Sequence, residues 1–100
     1  MIEIKNEMGH GTFYYTVSEL AKLLGLKDDK GYYIGRNKMY SLLRKEKILM
    51  DNNYPYQYFI GLDLVIMHKV VKGNYTIFMP IFSMRGVNYL RKRLVKEEVK

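Results

Sequence analysis

Six side chains able to make paired or charged hydrogen bonds, Arg36, Asn37, Lys38, Tyr40, Ser41 and Arg44, crowd into one short segment, GRNKMYSLLRKEKILM. Arginine matches guanine N7 and O6 in a bidentate pair, asparagine matches adenine N6 and N7, and lysine suits a phosphate. At about 100° per residue Asn37, Ser41 and Arg44 share one side of a helix with Tyr40 beside them, and Met39, Leu42 and Leu43 share the other. This is the residue set of a helix that reads base edges in duplex DNA; the same set also serves as an ordinary solvated face. Lys69 and Lys72, farther along in an expected hairpin, are placed to touch phosphate. Catalysis finds no comparable set. The chain has no cysteine, its two histidines, His10 and His68, cannot supply a histidine-rich metal shell, and His68 stands mid-strand without a nucleophile or a carboxylate pair nearby. No enzyme, metal site or cofactor is expected.

These groups must be positioned by a small body. One hundred residues build one core, so residues 1–100 read as a single domain with residues 1–11 as a polar leader. Hydrophobic residues at 48% with 27% charged residues predict a folded chain. No apolar run is long enough to span a bilayer, which predicts a soluble, cytoplasmic protein with no membrane partner. Seventeen Lys and Arg against ten Asp and Glu give a net charge of +7. Charge alone is compatible with nucleic acid, an acidic membrane surface or an acidic protein as partner.

Along the chain, Thr12-Phe13-Tyr14-Tyr15 predicts a short strand. TVSELAKLLG then predicts a helix with Thr16 as N-cap, Glu19 closing a capping box, Gly25 as the left-handed stop, and Leu20, Leu23 and Leu24 facing inward. LKDDKGYYI reads as a loop or insert before the second helix, which ends near Glu46. LVIMHKVV and YTIFMPIFS, split by Lys72-Gly73-Asn74, predict a β-hairpin. Ser83 then caps a last helix with Met84, Val87, Leu90 and Leu94 in one stripe. Arg91, Lys92, Arg93 and Lys96 crowd its other sides, and Glu97 to Lys100 are expected to fray. Arg85-Gly86 at its start suits either a bound phosphate or close packing. Of the ten tyrosines, Tyr14, Tyr15, Tyr33, Tyr58 and Tyr89 are assigned to packing, and Tyr54, Tyr56 and Tyr58 form a candidate exposed patch. The class is α+β, and the order helix, helix, hairpin wing is that of a winged helix-turn-helix, although the connector between the helices is long for that motif.

The strings TVSELAKLLG, YYIGRNKMYSLLRKEKILM, YPYQ and SMRGVNYL, in this order and spacing, resemble the KilA C-terminal (KilAC) domain of phage antirepressors from about Thr16 to Leu94. The chain departs from the family pattern at Gly61-Leu62-Asp63-Leu64, where a Gly-aromatic-Glu run is usual, and at Arg85-Gly86-Val87, where Lys-Gly-Gln is usual. The resemblance implies a phage or prophage regulator acting in the bacterial cytoplasm. Two partners are compatible with it: duplex DNA, held by the second helix and the wing, or a protein, either a phage repressor or a host DNA-associated protein, blocked without any contact to DNA. Monomer and homodimer are both compatible with the sequence.

Overall fold

The computed structural model describes residues 1–95. Its elements run β1 (Ile2–Lys5), β2 (Gly11–Tyr15), α1 (Val17–Leu24), α2 (Arg36–Lys45), α3 (Gln57–Gly61), β3 (Val65–Lys72), β4 (Tyr75–Ser83) and α4 (Met84–Leu94). The four strands form one antiparallel sheet in the order β1-β2-β4-β3. The α+β class and the hairpin thus stand. The hairpin closes through Gly73 and Asn74, with Gly73 at φ +55, the positive angle that a two-residue turn of this kind requires.

Helix α1 forms where its local signals agree. The Thr16 hydroxyl accepts from the Glu19 N–H, the Glu19 carboxylate accepts from the Thr16 N–H, and Gly25 ends the helix at φ +62. Val17, Leu20, Ala21 and Leu24 are its buried stripe. They meet Met39 and Leu43 of α2, Val87 and Leu90 of α4, Ile48 and Leu49 of the following loop, Phe59 of α3, and Leu64, Val65 and Phe82 at the root of the hairpin. Helix α4 comes close to the hairpin root at Gly86, where a Cβ would lie 2.1 Å from the Leu64 carbonyl oxygen. That glycine is therefore needed for packing. Its N–H is bonded to the Ser83 hydroxyl.

Several expectations are corrected. The leader is structured: Ile2–Lys5 pairs with β2, and the Asn6 side chain closes the turn by accepting from the Met8 and His10 N–H groups. A one-turn helix, α3, precedes the hairpin and buries Phe59 between Tyr58 and Tyr89. Its five residues are too few to show a period, and aromatic and β-branched types dominate them. Leu23 and Met84 lie at the rims of their stripes and are exposed, as are Tyr33 and Tyr58, against the packing role expected of them from the sequence. Of the basic residues placed around the last helix, Lys96 lies outside the described residues, as does the expected fraying of Glu97 to Lys100.

Candidate nucleic-acid interface

Helix α2 is held from below by Met39 and Leu43, both fully buried. Its N-cap is Gly35, which brings no side chain to the first-turn N–H groups, and that turn contains no acid but Arg36 and Lys38. Cations at a helix N-terminus oppose its dipole, and uncapped N–H groups lack a partner, so the local arrangement favours an approaching anion. Helices α1 and α4, by contrast, have their N-termini capped by Thr16 and Ser83.

The sequence-predicted contact residues fall into three groups. Arg36, Asn37 and Ser41 are exposed on α2, and Lys69 and Lys72 are exposed on the β3–β4 ribbon. Lys38 and Arg44 are engaged within the protein. The Lys38 ammonium bonds Asp28 Oδ2 at 2.9 Å. The Arg44 guanidinium donates to Asn53 Oδ1 at 2.5 Å and to Ser41 Oγ at 3.2 Å. Tyr40 is buried, which corrects its assignment as a contact residue. It sits one step from Met39 around the helix, and its ring centroid lies 5.1 Å from the Arg36 guanidinium, a cation–π contact.

The insert before α2 turns out to be a tight loop. Asp28 Oδ1 accepts from the Lys30 and Tyr32 N–H groups, and a bridge pairs Lys27 with Tyr33. The Lys38 ammonium and these N–H bonds hold the Asp28 carboxyl below its usual range. The loop leaves Tyr32 and Tyr33 about 70% exposed beside the start of α2, with the Lys27 ammonium 4.9 Å from the Tyr33 ring. Neither tyrosine was singled out as a contact residue from the sequence, although their position directly before Gly35-Arg36-Asn37 was a usable signal.

The basic cluster of α4 is largely structural. Arg91 donates to the Leu23 carbonyl at the end of α1, and Arg93 donates to the Glu46 carbonyl at the end of α2 and faces the Glu46 carboxylate at 3.5 Å. Arg85 and Lys92 instead line an open groove with Leu62, Leu64, Asn88 and Tyr89.

The model of the phage antirepressor protein KilAC domain matches residues 11–97. The chain belongs to the KilAC family. This KilAC domain is thereby placed among phage regulatory, not catalytic, proteins. No curated protein and no solved structure matches it. No helix among its described residues is long and apolar enough to cross a membrane.

Proposed function

We propose that this KilAC domain binds duplex DNA, with the N-terminal half of α2 at the base edges and the β3–β4 ribbon as a wing against the backbone. The observation that carries this reading is the N-terminus of α2, uncapped and cationic where α1 and α4 are capped by Thr16 and Ser83. There the first-turn N–H groups together with Arg36 would hold a phosphate, while Lys38 stays paired with Asp28, and Asn37 and Ser41 would face a groove. Lys69 and Lys72 supply phosphate contacts on the wing. The order helix, helix, ribbon supports a winged helix-turn-helix arrangement, with the 26–35 loop in place of a tight turn and α3 inserted before the wing.

Titration of fluorescent duplex at several salt concentrations tests the reading. Affinity falls with a log-log slope of about −0.9 for each phosphate neutralised. On a selected site Asn37→Ala loses about 1 to 3 kcal/mol at one base position, whereas Lys72→Ala weakens all sequences alike. A flat salt response, or no binding at low salt, defeats the proposal.

The groove on α4 favours a second reading, docking of an acidic protein segment. Arg85 and Lys92 flank an apolar floor of Leu62, Leu64 and Tyr89, and neither makes an ion pair among the described residues. Capture of a protein that survives nuclease treatment and is lost in Arg85→Glu would select this reading.

A further inference from the structure

We propose that the open edge of β4 is the seam of a homodimer, in which the outer parts of two β4 strands pair antiparallel about a two-fold axis near Ile77 and Phe78. On one side β4 pairs with β3 along its length, from Tyr75 to Phe82. On the other it pairs with β2 only at Phe82 and Ser83. Among the described residues nothing pairs with that edge from 75 to 79, so a row of backbone donors and acceptors faces outward. The same stretch exposes Tyr75 and Ile77 on one face of the ribbon and Phe78 on the other, where Val71 of β3 lies diagonally beside it. Exposed apolar surface of this kind on a strand edge marks an association site.

Charge identifies the occupant. The run YTIFMPIFS contains no charged residue in a chain of net charge +7, whereas β3, at the opposite edge of the ribbon, carries Lys69 and Lys72. Lysines on an edge strand block strand addition, so the β3 edge is guarded and the β4 edge is not. A second copy carries the same positive charge and approaches most favourably where neither surface is charged. Antiparallel pairing of a strand with itself also closes under two-fold symmetry, because each contact is made twice and no further edge is created at the seam. Pro80, which has no N–H to give, lies at the buried root and limits the pairing to the outer segment. The product is a ribbon-to-ribbon sheet ordered β3-β4-β4-β3, with Lys69 and Lys72 on its outer strands. This proposal stands apart from DNA binding by α2.

Sedimentation or light scattering from about 1 µM to about 500 µM tests the dimer, with the wild type passing from monomer to dimer within that range. Ile77→Lys and Phe78→Lys place like charges at the axis and raise the dimer dissociation constant at least about 100-fold, while circular dichroism and melting stay at wild-type values. The chain has no cysteine, so single-cysteine variants read the seam directly without added charge. On oxidation, at least one of Ile77→Cys and Phe78→Cys yields a covalent dimer, and Val71→Cys on the neighbouring strand stays monomeric. A chain that remains monomeric throughout, a dimer indifferent to both lysines, or equal cross-linking of Val71→Cys overturns the proposal. The first of these results would leave the edge to a strand from a different protein.

Discussion

Helices α1 and α2 lie side by side in one core, yet they are built to opposite standards. Both bury a complete apolar stripe. Helix α1 adds a reciprocal cap, an acid in its first turn and a glycine stop. Helix α2 begins at a glycine with no side-chain cap, places Arg36 and Lys38 against its own dipole, and exposes Asn37 and Ser41 above a buried Tyr40. The lesson is that the apolar floor of a helix and its polar ends answer to different demands. The floor answers to the fold. The ends of α2 depart from local preference where a charged ligand would restore it, and such departures concentrate at functional sites.

The shared floor is tested by the largest effect. Leu20→Ala and Leu43→Ala each cost about 2 to 5 kcal/mol in a denaturant or thermal melt, while Asn37→Ala on the exposed side of α2 changes stability by less than about 0.5 kcal/mol. A tolerated Leu43→Ala beside a destabilised Asn37→Ala would overturn the register of α2. The difference at the ends is tested next by Gly35→Asp. Gly35 has φ −100 and open space around a Cβ, so the substitution fits. It supplies the missing cap and raises stability by about 0.5 kcal/mol, yet lowers duplex affinity at least about tenfold by filling the anion site with a carboxylate. Unchanged affinity would show that the α2 N-terminus binds nothing. On α1 the matching change, Thr16→Ala, removes a cap already in use and costs about 1 kcal/mol with no effect on binding.

The smallest effect is a pH dependence. The N-terminal ammonium and the Thr16 backbone N–H hold the Glu19 carboxyl below its usual value of 4.5. A carboxyl held lower in the folded state stabilises at pH above that value and loses its contribution as the pH falls through and below it. The wild type should therefore lose stability on acidification more steeply than Glu19→Gln, and parallel acid titrations would refute the assignment.

Legibility followed the same division. The capping box, the glycine stop, the end of α2 near Glu46 and the hairpin turn could be read from the sequence because each depends on residues close in the chain. Helix α3 could not, since five residues leave no helical period to detect, whereas β1 alternates apolar and polar residues in Ile2-Glu3-Ile4-Lys5 and pairs with β2 across a short turn, a local signal that reading the stretch as a polar leader leaves out. Within the candidate site, the identity of α2 and its exposed Arg36, Asn37 and Ser41 were legible. The engagement of Arg44 was not, because it depends on Asn53, held at φ +68 in a separate turn. Nor was that of Lys38, which depends on how the insert folds Asp28 back toward α2.

Arg91 and Arg93 have a consequence for the order of events during synthesis. They close the carbonyl ends of α1 and α2 from the last helix of the domain, and β2 reaches the main sheet only through Phe82 and Ser83. The first half of the chain therefore leaves the ribosome with its two helices unsealed at their C-terminal ends and its first hairpin unattached. At about 5 to 20 residues per second this half waits several seconds for its last partners. The domain completes itself from its tail, and truncation before α4 leaves exposed helices and unpaired strands, the material on which proteases and chaperones act.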